Sequence, residues 1–343
     1  MQPAPKLTCM LGQELRIMKS LVLQCIYFAA FYAGILDLFY RRRKTPIVIT
    51  YHNIIPDDLF DKNAQFIGGD HRVSEFDAHL SIVSSKVSIG NRCIPGEVLI
   101  TFDDGYKNNK LVACPILKKH GASATFFIPA CYFESSDILW VDTMLMWLSY
   151  VPDGDYDILE HNFALSNKAS RSQAWEAIWE RLLQDFSLKQ RVLLEMEERY
   201  PVNALEIDDE YLRLRFSALN EDDLYAMIAE GNQLACHSYN HDILSRLPPA
   251  DLQSNFEKCE PYRAKYNVNW FSYPFGRDDE VSSQVVELCK THEYSKAFMN
   301  INRPSDDVHK IPRINMPNST NRYLIHAKLS GFEGALKSAL RLG

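Results

Sequence analysis

Two adjacent carboxylates, Asp103 and Asp104, stand in the motif TFDDGY, directly after the apolar run EVLITF. Neighbouring side chains in a strand point in opposite directions, but at a strand-to-loop bend both can face one cavity. One carboxylate could then bind a cation while the other accepts a proton. Because Asp-Asp-Gly is also a common turn sequence, the pair predicts chemistry only together with a second element.

The motif HSYNH supplies that element, with His237 and His241 directly after the strand-like run QLAC. Imidazoles at positions i and i+4 share one face of a helical turn and can chelate one metal ion. Two histidines and one aspartate form a ligand set that leaves positions open for water and substrate. We expect one divalent metal ion here, with zinc as the default. Cobalt, nickel and iron also suit these ligands.

Two further features could complete such a site. The segment FSYPFG, residues 271–276, places a tight turn after a strand, and a backbone N–H in such a turn can stabilise an oxyanion. His52 follows the first predicted strand, where it could serve as a general acid or contact the substrate. A buried histidine bonded to the backbone explains His52 equally well.

From Thr45 onward, short apolar runs alternate with helical stretches, which indicates parallel strands that are covered on both faces. Polar residues gather at the carboxyl ends of these runs, where the chemistry of a β/α barrel lies. The predicted strands are 46–51, 97–102, 122–128, 233–236, 270–273, 295–298 and 310–314.

This alternation extends over residues 45–320, which we interpret as one α/β domain. A charged, helix-rich stretch interrupts it at about 137–217, and we interpret that stretch as a helical insertion that shapes access to the substrate. Residues 321–343 are predicted to form one basic amphipathic helix.

Residues 1–44 are predicted to form one apolar and basic N-terminal helix, which could anchor the protein to a membrane. An apolar run over 21–40 is long enough to cross a bilayer, and the basic run RRRK follows at once. Membrane association through residues 17–44, spanning or lying on the surface, would explain both features. Basic flanks tend to stay on the cytoplasmic side, which predicts a cytoplasmic active site. The alternative is an ordinary helix packed against the domain.

Composition narrows the class further. The 343 residues are 46% hydrophobic and carry a formal net charge of −7, which favours a globular protein and argues against a broad nucleic-acid-binding face. The eight cysteines are irregularly spaced and form no CxxC pair, so we interpret them as reduced thiols.

The motifs TFDDGY, HSYNH and YPFG, in this order, resemble those of the polysaccharide deacetylase family, also called the NodB-homology domain or carbohydrate esterase family four. YHNI and IPRINM add to the resemblance, which extends over residues 45–318. It implies a distorted (β/α) barrel of seven or eight parallel strands. It also implies a hydrolase of non-peptide carbon–nitrogen bonds, whose carbohydrate substrate is an N-acetylated amino sugar in a polysaccharide or a lipid-linked saccharide.

The resemblance also implies roles for individual residues. Asp103 becomes the general base, whereas Asp104, His237 and His241 become the metal ligands. The backbone N–H of Phe275 would bind the oxyanion. The arginine that the family carries in its third motif is absent here, and Arg313 in IPRINM is the candidate substitute that orients Asp103.

Many relatives use a late Leu-x-His histidine as the general acid, and Leu324-Ile325-His326 matches it literally. We interpret this match as coincidental, because it lies in the C-terminal helix and not after a strand.

Two alternatives stay open. One is a deformylase or an O-deacetylase that acts on a glycolipid, and the other is a carbohydrate-binding relic without activity. The complete set of base and ligands argues against the relic, because binding alone would not require it.

Overall fold

The computed structural model describes residues 5–135 and 137–340, with the side chains of all of these except 5–17 and 20. Within these ranges the chain forms twelve strands, which are β1 (Ile47–Tyr51), β2 (Asn53–Ile55), β3 (Asp70–Arg72), β4 (Ser88–Gly90), β5 (Glu97–Phe102), β6 (Thr125–Ile128), β7 (Gly154–Ile158), β8 (His161–Leu165), β9 (Gln233–Cys236), β10 (Trp270–Ser272), β11 (Lys296–Phe298) and β12 (Ile314–Asn315).

The same ranges contain fifteen α-helices, which are α1 (Pro5–Tyr32), α2 (Ile35–Arg42), α3 (Asp57–Lys62), α4 (Val73–Ser84), α5 (Cys114–Lys119), α6 (Trp140–Tyr150), α7 (Lys168–Gln184), α8 (Lys189–Arg199), α9 (Asp209–Arg215), α10 (Glu221–Ala229), α11 (Pro249–Glu257), α12 (Glu260–Tyr266), α13 (Ser283–Thr291), α14 (Arg322–Ser330) and α15 (Phe332–Ala339). Short 3₁₀ or π segments lie at Asn109–Ala113, Ala130–Phe133, Phe186–Leu188, Val202–Ala204 and Leu244–Arg246.

Seven strands form one parallel sheet in the order β11-β10-β9-β6-β5-β1-β12, and β4 pairs with the first half of β5. The two ends of this sheet approach each other, because Phe298 at the end of β11 forms a parallel bridge with Ile311, shortly before β12. The strands therefore curl into a barrel. This confirms the predicted distorted (β/α) barrel of seven or eight parallel strands.

The two faces of the sheet carry different apolar layers, as period-two side-chain alternation requires. Outward residues such as Ile49, Ile100 and Phe126 pack under the surrounding helices. One inward residue from each strand segment fills the barrel interior, and these residues are Val48, Leu99, Phe127, Ala235, Trp270, Phe298 and Ile311. Both faces are buried, which explains the continuous apolar runs in the sequence.

The insertion between β6 and β9 contains α6 to α9, as its helical composition predicts, together with a hairpin that the sequence analysis missed. The hairpin pairs β7 with β8 in antiparallel register. Its turn residues Leu159 and Glu160 have positive φ angles of 52° and 56°. Such turns usually carry Asn-Gly or Asp-Gly, so the usual sequence signal is absent here.

The N-terminal apolar run is not one helix as predicted, because it breaks at Gly34, whose φ is 72°. The segments Leu21–Tyr32 and Ile35–Arg42 meet at 76°. No single helix within the described residues is long and apolar enough to cross a bilayer, and this bent pair meets that requirement only when both parts are counted together. Membrane association stays a prediction.

The C-terminal region also departs from the predicted single helix. Gly331, with a φ of 87°, separates α14 from α15. α14 packs against α2, where the Tyr40 hydroxyl is hydrogen-bonded to His326 Nδ1 at 3.0 Å. The N-terminal and C-terminal helices therefore meet on one flank of the barrel.

Candidate active site

Strand alternation directs three predicted site residues into the mouth of the barrel. Successive inward positions are two residues apart, and Asp103, His237 and Arg313 lie two or four residues beyond inward members of the apolar layer. All three side chains are buried. The carboxyl ends of the parallel strands thus bring together residues that are far apart in the sequence.

Asp104 and His241 reach the same cavity through unusual backbone conformations. Their φ angles are 72° and 60°, and Ser238 between the two histidines has a φ of 61°. Left-handed conformations are unfavourable for residues other than glycine and concentrate at functional sites. The predicted helical turn for HSYNH is therefore wrong, because the two imidazoles meet across an irregular turn. Backbone N–H groups of Ala130 and Cys131 hold this turn by donating to the carbonyls of Ser238 and Tyr239.

The predicted ligands Asp104, His237 and His241 form one compact buried cluster, with their ligand atoms all within 4.8 Å of one another. Asp104 Oδ1 lies 3.3 Å from His237 Nε2 and 3.2 Å from His241 Nε2. His237 Nδ1 lies 2.8 Å from the Ser272 carbonyl and donates its proton there, which leaves Nε2 free to bind a metal.

A divalent cation fits this cluster. Asp104 Oδ1 is buried and accepts no hydrogen bond from the residues described. Burial would raise the pKa of the Asp104 carboxyl, but the neighbouring His241 and His237 hold it well below its usual range. An ionised oxygen between two imidazole nitrogens is a donor set that zinc and related metals prefer. The role of the three residues as ligands stays a prediction.

Asp103 has a different partner from its neighbour. Arg313 Nη1 and Nη2 donate to Asp103 Oδ1 and Oδ2 at 2.7 and 2.6 Å, and Arg313 Nε donates to the Met299 carbonyl. Burial would raise the pKa of Asp103, but this guanidinium lowers it overall. The sequence analysis named Arg313 as the candidate substitute for the missing arginine, and Arg313 lies where it can orient Asp103.

His52 and Phe275 flank these groups. His52 Nε2 lies 3.9 Å from Asp103 Oδ2, and the His52 side chain remains 34% exposed. Phe275 has a φ of 59°, and its ring centroid lies 4.6 Å from that of His241. The Phe275 N–H donates no hydrogen bond to any of the described residues. Their proposed roles as acid and oxyanion donor remain predictions.

His326 lies outside the site. Its ring is hydrogen-bonded to Tyr40 and faces Ser85 Oγ, with Nε2 at 3.4 Å. The ring also packs against Phe31. This placement agrees with the interpretation of the Leu-x-His match as coincidental.

The site opens into a cavity of about 220 Å³. The predicted site residues form one wall of this cavity, and the sequence analysis did not identify the residues of the opposite, second wall. The residues of that wall come from the insertion and from the end of β11. They are Val141, Asp142, Leu145, Trp175, Arg215 and Asn300. Asn300 lies two residues beyond inward-facing Phe298, so strand alternation could have identified it. No local pattern marks Asp142 or Arg215.

Asp142 is a buried acid in this second wall. Its Oδ2 accepts a hydrogen bond from the Tyr106 hydroxyl at 2.7 Å, and its Oδ1 accepts one from Arg215 at 3.2 Å. Arg215 also donates to Asp70 at 2.7 Å. Burial raises the pKa of Asp142 to about 6, since the shared guanidinium offsets only part of the desolvation.

A parallel barrel with an Asp-His-His cluster and a separate, arginine-bound carboxylate at its strand ends is an arrangement suited to hydrolysis. The family model for polysaccharide deacetylases matches residues 92–182 and 194–295, more than half of the chain. The chain belongs to the polysaccharide deacetylase family. This confirms the predicted family and enzyme class, which consists of hydrolases acting on non-peptide carbon–nitrogen bonds.

Individual relatives are distant. YxkH of Bacillus subtilis (strain 168), whose name places it among the polysaccharide deacetylases, is 34% identical over 94 residues. That match covers 25% of this chain and 32% of YxkH.

Two solved structures share low identity with the chain. The Streptococcus pyogenes deacetylase PplD in complex with acetate is 16% identical, with a TM-score of 0.49 over 82% of this chain and 98% of PplD. IcaB from Ammonifex degensii is 15% identical, with a TM-score of 0.48 over 84% of this chain and 98% of IcaB. Likenesses this remote say nothing about the substrate.

Proposed function

We propose that this chain is an active, metal-dependent deacetylase that removes N-acetyl groups from an amino-sugar-containing polysaccharide or lipid-linked saccharide. The observation that supports the proposal is that two adjacent carboxylates have different partners. Asp104 faces two imidazoles, whereas Asp103 is held by Arg313. A binding protein would need neither the cluster nor the second, oriented carboxylate.

A divalent metal bound by Asp104, His237 and His241, with zinc as our first choice, would polarise the acetamide carbonyl and lower the pKa of a water molecule. Asp103 would accept the proton of that water, because it stays ionised and makes no short contact with either imidazole. Arg313 fixes both of its oxygens, so the base is oriented before the substrate arrives.

The remaining steps fall to His52 and Phe275. His52 lies at the cavity beside Asp103 and is partly exposed, so it can meet the leaving amine and donate a proton to it. The Phe275 N–H has no competing acceptor within the described residues and would stabilise the developing oxyanion. The products would be acetate and a free amino sugar.

The test measures acetate release from oligosaccharides of N-acetylglucosamine by the purified full chain. We expect a chelator to abolish release and added zinc, cobalt or nickel to restore it, with about one metal ion per chain. Asp103→Asn is the matched control, because it should retain the metal without releasing acetate. Metal-independent release, or a chain that binds no metal, would contradict the proposal.

A substrate panel separates the alternative acyl groups, which the same residues could attack. It includes an N-formylated amino sugar and an O-acetylated glycolipid. Faster release of formate would identify a deformylase, and faster release of acetate from the ester an O-deacetylase. No turnover, combined with retained saccharide binding, would identify the non-catalytic relic.

A further inference from the structure

An apolar surface lies uncovered on the N-terminal helices. Its side chains on α1 and α2 are each between 40% and 65% exposed. We call this set the outer face, and its residues are Met18, Leu21, Val22, Phe28, Tyr32, Ile35 and Leu38. Contiguous exposed apolar patches are uncommon on soluble monomers and usually mark interaction sites.

The outer face exists because α1 is apolar on both sides. Its opposite side includes Tyr27 and Ala30, which are buried at 2% and 3% exposure, and Tyr27 packs against Phe332. No charged residue occurs from Leu21 to Leu36. A helix that is apolar all round normally has an apolar environment on every side. The described residues supply that environment on one side only.

The charge around this face differs in sign from that of the whole chain. Residues 16–44 contain six basic side chains and one acidic one, although the chain carries a formal net charge of −7. Lys19, Arg41, Arg42 and Lys44 are exposed beside the outer face. Exposed apolar and basic groups together match the boundary between the acyl chains and the head groups of an anionic membrane.

The helices that carry the outer face are fixed to the barrel. Arg43 donates to the carbonyls of Thr45, Pro46 and Leu329. Leu36 is fully buried, and Lys86 forms an ion pair with Asp37 at 2.6 Å. These contacts hold α2 along the domain, and the Tyr27–Phe332 contact holds α1 against α15.

We infer that the outer face docks in the plane of an anionic bilayer, with α1 and α2 still folded against the barrel. The inference rests on exposure and charge and is independent of the proposed catalytic activity. A second copy of the chain fits less well, because a self-complementary interface would bring two basic clusters into proximity.

The test is co-sedimentation of the full chain with vesicles of phosphatidylcholine alone or mixed with phosphatidylglycerol. We expect binding to the anionic vesicles that weakens at high salt. Leu21→Gln and Phe28→Gln should each reduce the partition coefficient at least about tenfold. Arg41→Gln and Arg42→Gln should each reduce it about fivefold.

Leu194→Gln is the matched control, because Leu194 is an apolar residue of the insertion that is 54% exposed. It should leave binding unchanged, and all variants should keep the melting temperature because the altered side chains are exposed. A wild-type chain that stays in the supernatant, or equal loss with Leu194→Gln, would overturn the inference. So would a vesicle-free dimer that Phe28→Gln converts to a monomer.

In-plane docking also makes a distinct prediction about extraction. Alkaline carbonate should release the wild-type chain from membranes, since a docked surface does not span the bilayer. Resistance to carbonate combined with solubility in detergent would show that α1 and α2 unfold from the barrel and insert, which would also overturn the inference.

Discussion

Each of the two walls of the cavity contains a buried aspartic acid, and the pKa values of these two acids are shifted in opposite directions. Asp103 on the barrel wall and Asp142 on the insertion wall are 2% and 1% exposed. Arg313 contacts Asp103 through two nitrogens, whereas Arg215 divides its donors between Asp142 and Asp70. Burial raises the pKa of both acids, but the undivided guanidinium lowers that of Asp103 overall, and Asp142 remains at about 6.

The two acids are buried alike, so the difference in their pKa follows from the charged groups that face them. Arg313 and His237 lower the pKa of Asp103, whereas Asp142 shares Arg215 and also lies near the Asp104 carboxylate, which raises its pKa. The barrel wall holds a carboxylate whose pKa is lowered, which suits the role of general base that we propose for Asp103. The insertion wall holds Asp142, whose pKa is about 6. Asp142 also connects α6 to the barrel, because it accepts a hydrogen bond from Tyr106. We therefore expect the first wall to govern chemistry and the second wall to govern stability and substrate fit.

The largest effect should come from the ligand cluster on the barrel wall. Asp104→Asn, His237→Ala and His241→Ala should each lose the metal and with it at least about 10⁴-fold in rate. Elemental analysis of the purified variants and acetate-release assays check this. If all three variants retained both metal and activity, the assignment of these residues as metal ligands would fail.

Asp103→Asn should give the next largest effect. The variant should bind the metal as the wild type does but lose about 10²–10⁴-fold in kcat, because the group that we propose as the general base is gone. The same two measurements apply. An Asp103→Asn protein that loses the metal, beside an Asp104→Asn protein that keeps it, would reverse the roles of the two carboxylates.

The insertion wall predicts a pH-dependent stability. Because the pKa of Asp142 is about 6 in the folded state and near 3.8 when unfolded, the folded protein binds the proton more tightly. The free energy of unfolding should therefore fall as pH rises from about 4 to about 6, by up to about 3 kcal/mol. Urea titrations at several pH values measure this. Asp142→Asn should flatten the dependence, and an unchanged slope would contradict the assignment.

The smallest effect should come from Trp175, which lines the cavity and stacks on Trp179 with ring centroids 5.4 Å apart. Trp175→Ala should raise KM about 2–10-fold, the size of one aromatic contact, without changing metal content. Steady-state kinetics on an oligosaccharide check this. A fall in kcat at constant KM would instead place Trp175 with the barrel wall.

The barrel wall was also the easier one to predict from the sequence. The limits of β5 and β9 agree with prediction, because both are continuous apolar runs that end at a polar motif. The positive φ of His241 was not predictable, since the turn that leads to it is held at Ser238 and Tyr239 by backbone N–H groups of Ala130 and Cys131, which are remote in the sequence. The last strand was predicted at 310–314, but β12 begins only at Ile314, where the chain pairs with β1. The preceding Ile311 instead forms a single bridge with Phe298 of β11.

The residues of the insertion wall could not be predicted from the sequence, because their contacts join distant parts of the chain. Asp142 and Arg215 are 73 residues apart, and their partners Asp70 and Tyr106 precede the insertion. No local spacing records such contacts. The helical composition of the segment was informative, but the hairpin and the identity of the cavity residues depend on tertiary packing.

The pairing of Asp103 with Arg313 spans 210 residues of chain, and this separation has a consequence for the order of events during synthesis. The three proposed ligands are all in the chain once residue 241 has been added, whereas Arg313 follows about 70 residues later. At about 5–20 residues per second, that interval is of the order of several seconds. A nascent chain should thus hold all of its proposed metal ligands before its proposed base is oriented. A product truncated before residue 313 should carry these ligands without an oriented Asp103.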